Sequence, residues 1–437
     1  MPASFERHAA GTFAARPVCS GKPLRDVMTH TLPVRHRLAR FVALLLTFVF
    51  LAAVSGCSQS QTSAILHEEA SAYGFSIVGW HAANVPFKLL QLPFTLGELP
   101  SLDEEAELVD RFFAAGAELA HIERDLQREL SLHGSGTAYA QELEAELERV
   151  REEHSSLAPK VEALIQHEVA AALASEDLGL EFAGCTLAFP PVVFVFQSPP
   201  KLLVLSPRDR VERLDDMLLS PDIGAEDIEA VEDAILEDHG LSALVVTPGG
   251  VATYPSIVNE RVDLYNSVLL AAHEWTHQYL FFHPLGLTYF RGGVMQEMNE
   301  AVADIVGREV ALIVCPPDAE PPAGDEPAFD FVTEMQQTRA HLDLLLQEGS
   351  VEAAEDYLEQ RRQLFVDNGY YIRKLNQAYF AFYGTYASSP ASVSPVAEQL
   401  DELRDYYPTL GEFVRAVQGL TSHEELLALL VEKRSQH

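Results

Sequence analysis

The chain has 437 residues, 48% hydrophobic and 22% charged, which is enough apolar material for buried cores and excludes wholesale disorder. Acidic residues outnumber basic ones 65 to 30, a formal charge of −35. Such a surface repels phosphate backbones and anionic lipid head groups, so no nucleic-acid partner is expected and membrane association needs an anchor other than a basic patch. Four cysteines, at 19, 57, 185 and 315, include no CxxC pair, which excludes a disulfide-stapled scaffold and a Cys-rich zinc ribbon. Cys185 and Cys315 can form one bridge or remain two free thiols.

In chain order, Arg35, Arg37 and Arg40 come first, ahead of the apolar run Phe41–Val54 and then Ser55-Gly56-Cys57. A basic stretch, a short apolar segment and small residues predict a secretory signal too short for an ordinary membrane span. The sequence Val54-Ser55-Gly56-Cys57 resembles the bacterial lipobox, which implies that Cys57 receives lipid and begins the mature chain. The basic cluster lies far from Met1, and Met28 would give a signal of ordinary length, so residues 1–27 read as an over-called start. Loss of residues 1–57 removes seven basic and two acidic residues, leaving a net charge of −40. A lipid anchor would hold this anionic body at a membrane in the bacterial envelope, outside the cytoplasm. A plain signal peptide or a short anchor helix is the alternative.

From Ser101 to about Ser175 the sequence is helical in pattern. Ser101 ahead of Glu104 forms a capping box, and Val109, Phe112, Phe113 and Ala117 recur every three to four residues. Residues 133–136 (HGSG) break the run. A second helix starts at Ala138, and a third is expected after Pro159. The charges of this hairpin fit a solvated face, with partner docking as the alternative. Strands are predicted at Val192–Phe196, Leu202–Leu205, Ala243–Thr247 and, after Pro248-Gly249-Gly250, at Val251–Tyr254. Helices are predicted at about 222–237, 262–282 and 294–314. A Pro- and acid-rich linker at 316–327 leads into a helical remainder. The expected class is α+β: a small mixed sheet with an edge strand beside a buried helix, an N-terminal helical hairpin and a helical C-terminal lobe. The boundaries fall at 1–57, 58–180, 181–325 and 326–437.

The chemistry is concentrated in two of these helices. His273-Glu274-Trp275-Thr276-His277 is an HExxH motif; residues i and i+4 share a helix face, so both imidazoles can reach one metal ion. Glu274, one step around, can reach a water at that ion. HExxH alone arises by chance, but Glu300 and Asp304 stand at the same i, i+4 spacing on the next apolar helix. Both helices are apolar nearly all round, so these polar groups would be costly to bury without each other. Core histidines with an Asp304–Arg308 ion pair are the bland alternative.

HEWTH followed by NEAVAD, 23 residues from His277 to Glu300, resembles the gluzincins, the thermolysin-like zinc peptidases, over about residues 242–314. The resemblance implies one zinc ion held by His273, His277 and Glu300, with Glu274 as general base and Asp304 accepting a hydrogen bond from a ligating His. It implies that an exposed strand pairs with an extended peptide or protein substrate, for which residues 250–254 are the candidate and an ordinary edge hairpin is the alternative, and that a Tyr or His from the helical lobe steadies the developing oxyanion. Tyr379, Tyr383 and Tyr386 offer that donor at helical spacing, although such a stripe is more often a core feature. Aminopeptidases of the group carry a Glu in the strand, and no acid occurs between Leu241 and Asn259, so an endopeptidase is expected. An aminopeptidase or another zinc hydrolase, or a non-catalytic lipid-anchored scaffold with a structural zinc, is the alternative. His283 gives the outer spacing of the metzincin motif, but Leu280 replaces its glycine, and a continuing helix would turn His283 away from His277. Pro284 then predicts the helix end.

Overall fold

The computed structural model describes residues 61–91, 102–133, 137–182, 185–316, 329–386, 389–392 and 394–436. The signal segment, Cys57 and residues 317–327 of the linker lie outside the described residues. The chain is mostly helical with small sheets, an α+β fold. It opens with α1 (Gln61–Ala70), α2 (Ile77–Gln91), α3 (Leu102–His133) and α4 (Ala138–Ser175). α3 and α4 form the hairpin, its antiparallel register marked by Arg111–Glu153 at 2.8 Å and Glu118–Arg149 at 3.5 Å. Thr137 caps α4 by accepting from the Ala140 amide at 3.0 Å.

One expectation fails in α4, which runs unbroken through Pro159. An internal proline costs about 3 kcal/mol. On both sides of it, however, Val150, Leu157, Val161, Ile165 and Leu173 are buried, and that continuous packing outweighs the local cost.

The strands fall into three groups. β1 (Leu180–Phe182) and β2 (Cys185–Leu187) make a short hairpin. β3 (Phe194–Phe196) runs parallel to β8 (Ser256–Val258), which pairs antiparallel with β7 (Gly250–Val251). β4 (Lys201–Pro207) lies between β5 (Asp215–Leu219) and β6 (Leu241–Val246), both antiparallel to it. The anticipated single sheet is thus two three-stranded ones, and the predicted strand at 251–254 is only the two residues of β7. Its chain turns at once, the Thr253 amide donating to Val251 O at 2.9 Å. β7 does lie at the edge of its sheet.

The remaining helices are α5 (Ala225–His239), α6 (Leu264–Leu280), α7 (Pro284–Thr288), α8 (Val294–Val314), α9 (Phe331–Gln347), α10 (Val351–Asp367), α11 (Gln377–Tyr383), α12 (Val396–Asp405), α13 (Leu410–Val417) and α14 (His423–Gln436). Asp263 starts α6 by accepting from the Asn266 amide at 2.8 Å. The largest core joins α3, α4, β3, α6, α8 and α12–α14, with Phe112, Ile165, Phe194, Trp275, Val302 and Phe413 at its centre. It crosses the sequence boundaries drawn at 180 and 325. Cys315, just beyond α8, is a free thiol pushed up to about 11 by burial; the Cys185 side chain is not among those described.

α6 and α8 lie against each other, and Gly307 permits the approach. A β-carbon there would stand 2.8 Å from Leu269 O and 3.3 Å from His273 Cβ. Gly307→Ala should therefore force the two helices apart and destabilise the fold by about 1–3 kcal/mol, the usual cost of overpacking. Denaturant unfolding of the two proteins checks this.

Candidate metal centre

α6 and α8 bring together all five residues anticipated for the site. His273 and His277 project from one face of α6, their Nε2 atoms 3.1 Å apart. Glu300 on α8 places Oε2 at 3.4 Å from each. The other imidazole nitrogens are engaged: Nδ1 of His273 stands 3.0 Å from Asp304 Oδ1, and Nδ1 of His277 2.6 Å from Asn299 Oδ1. Both oxygens are acceptors, so each imidazole carries a proton on Nδ1, and whenever the ring is neutral its Nε2 lone pair is turned inward. Arg308, the alternative partner for Asp304, instead reaches Asp401 at 2.7 Å.

Three lone-pair atoms thus converge in a buried space. Glu300 is 4% exposed, and its Oε2 is buried with no hydrogen-bond partner. Such an arrangement repels itself unless a cation sits among the three atoms. For bonds of about 2.0–2.1 Å, tetrahedral geometry sets ligand atoms roughly 3.3–3.4 Å apart, close to the spacings here. The buried His-His-Glu group can therefore hold a metal ion.

The titration behaviour shows the same demand for positive charge. Burial disfavours a protonated His273, but Asp304 and Glu300 outweigh it and lift its pKa well above 6.5. His277 is raised as well, the charge of Glu300 overcoming burial. Glu300 is held far below the usual carboxylate range by the two imidazoles, although burial acts the other way. A metal and protons compete for this cluster, so metal affinity must fall as pH falls.

Glu274 is buried beside the cluster, and burial raises its pKa above 4.5, partly offset by the two histidines. Its carboxylate lies directly against Gly250 of β7, where a β-carbon would come 2.5 Å from Oε1. Gln278, one residue beyond the motif, donates Nε2 to Thr253 O and, at 2.7 Å, to Ser256 Oγ. It pins α6 to the turn that follows the edge strand.

Two tyrosines complete the surroundings. Tyr289 donates its hydroxyl to Glu300 Oε1 at 3.0 Å and receives a hydrogen bond from Gln296 at 3.2 Å, which orients the carboxylate. Sequence reasoning missed it, because a lone Tyr in a short connection carries no periodic signal. Among Tyr379, Tyr383 and Tyr386, only Tyr386 senses the cluster: burial first, then the charges of Glu300 and Glu274, keep its phenol protonated. The Tyr379 and Tyr383 rings meet at a tilt with centroids 4.5 Å apart, and all three tyrosines pack against the apolar cluster of β4 and β6. His283 stands apart from the cluster. α6 ends at Leu280, and His283 precedes α7 with its ring 4.7 Å from that of Tyr279.

No protein-family model, curated protein or solved structure matches the chain. The metal-site reading therefore rests on this geometry and makes a sharp distinction between two residues. Glu300→Ala should weaken Zn2+ binding at least tenfold, while His283→Ala should bind it as the parent chain does. Competition titrations with a chromogenic chelator read both.

Proposed function

We propose that the protein is a zinc-dependent endopeptidase, exported and held by lipid in a bacterial envelope. The observation that carries this reading is the buried convergence of His273 Nε2, His277 Nε2 and Glu300 Oε2 with Glu274 alongside. A purely structural site has no use for that extra carboxylate. His273, His277 and Glu300 would hold the ion, which when bound would supply a Lewis acid to polarise a carbonyl and acidify a water. Zinc suits a compact site with two imidazoles and one carboxylate.

Glu274 takes a proton from the attacking water and passes it to the leaving amine. Burial makes Glu274 a stronger base than a solvated carboxylate, which suits the first of these transfers. Tyr386, the one of the three anticipated tyrosines whose phenol feels the charges of Glu300 and Glu274, would donate to the carbonyl oxygen as charge develops there; Tyr289 holds Glu300 in place. The outer edge of β7 is unpaired among the described residues, and an extended peptide backbone would add to it beside Glu274. The absence of an acid from Ser242 to Val258 leaves no partner for a substrate's free amine, which favours internal cleavage.

Glu274→Gln keeps size and polarity while removing the base. Hydrolysis of a broad peptide library should drop by several orders of magnitude, with bound zinc unchanged. Retained hydrolysis in this variant would exclude Glu274 as the base.

Among the described residues no helix is long and apolar enough to cross a membrane, and the anchor in this reading is Cys57. Cys57→Ala should move the protein from the membrane fraction to the soluble fraction or leave it unprocessed. Unchanged fractionation would contradict the lipid anchor.

A further inference from the structure

Away from the metal cluster, the hairpin and the connections into β4 and α6 enclose a cavity of about 370 Å3. Its floor is His154 of α4, 2% exposed and stacked on the Phe112 ring at a centroid distance of 4.1 Å. The Nε2 of His154 is buried without a hydrogen-bond partner, and burial keeps the ring neutral. A buried polar atom left unpaired destabilises a fold, and here it belongs to a residue that lines the cavity. Gly116 on α3 faces it. Glycine is disfavoured inside a helix, yet a β-carbon at this position would lie 3.4 Å from His154 Nε2 and 3.6 Å from Glu260 O. The glycine thus keeps the floor open.

The mouth is different in character. Arg151 and Arg261, with half-exposed side chains, share one carboxylate: Glu123 lies 3.1 Å from Arg261 and 3.7 Å from Arg151. Arg151 also reaches Glu148 at 3.4 Å. Two guanidinium groups with ten N–H donors between them retain capacity for a further carboxylate. Deeper in, Glu260 accepts from Ser198 Oγ at 3.0 Å and keeps acceptor capacity of its own. The rim thus carries two guanidinium groups with the carboxylates of Glu123 and Asp222 beside them, and Glu260 with His154 lies below.

We propose that this cavity binds a small zwitterion, a free amino acid or a dipeptide. Its carboxylate would meet Arg151 and Arg261, and its ammonium would meet His154 Nε2 and Glu260. The volume suits a ligand of that size. None of these residues belongs to the metal cluster, so the inference stands independently of the peptidase reading.

The test uses the full chain, stripped of metal, in thermal-shift and calorimetric titrations with a panel of free amino acids and dipeptides. Their N-acetylated and C-amidated counterparts serve as comparisons. At least one zwitterion should raise Tm by about 2 °C or more at saturation, and blocking either end should abolish the effect. Gly116→Ala should fold with an equal or higher Tm and lose at least tenfold in affinity; Arg261→Gln should weaken binding as well. Capture at the metal cluster would survive Gly116→Ala and so be told apart. The proposal is overturned if no zwitterion binds, if the blocked forms bind equally, or if Gly116→Ala binds as the parent chain does.

Discussion

Two imidazole nitrogens and a carboxylate oxygen meet with lone pairs facing one another where the protein buries them, and the surrounding structure is arranged around that conflict. Their neighbours fix geometry without resolving it. Asp304 and Asn299 hold the two Nδ1 atoms at 3.0 and 2.6 Å, and Tyr289 holds the outer oxygen of Glu300. Each of these contacts sharpens the inward aim of a donor atom, and Asp304 adds negative charge. With both imidazoles neutral, Glu274, Glu300 and Asp304 leave the site strongly anionic. A divalent cation offsets most of that charge, so its binding would be linked to folding stability.

The helix pair that carries the cluster depends on equally local decisions. Gly307 lets α8 approach the backbone of α6 at Leu269, and the apolar faces of both helices enter the core shared with the hairpin and the C-terminal helices. Gly250 gives Glu274 room beside the edge strand, and Gln278 ties that strand's turn to the helix. Glu274, the strand edge and the donor cluster are thereby held together by direct contacts between α6, α8 and β7.

The pairing of HEWTH with NEAVAD was legible because helical periodicity places residues i and i+4 on one face, and burying either set alone is unfavourable. Element boundaries followed local chemistry where a cap or a break was strong, as at Asp263 and Pro284. Tertiary packing decided the rest. Pro159 reads as a helix boundary, but the apolar face on either side keeps α4 whole. β5, with the sequence DDMLL, has little strand character of its own and forms because β4 supplies its partner. The tyrosine stripe reads as one set at helical spacing, whereas α11 stops at Tyr383 and Tyr386 lies in the turn beyond it, where it senses the cluster. Tyr289 reaches Glu300 through a short connection that no sequence period reports.

The central claim is that His273, His277 and Glu300 share one metal ion. X-ray absorption at the zinc K-edge, on full-length chain loaded with one equivalent of Zn2+, tests it most directly when compared with Glu300→Ala. The account predicts stoichiometric zinc with nitrogen and oxygen neighbours at about 2.0–2.2 Å, imidazole outer-shell scattering from two histidines, and loss of one oxygen neighbour or of the zinc itself in the variant. A spectrum of hexa-aqua zinc in the parent chain, or an identical inner shell in both proteins, would contradict it.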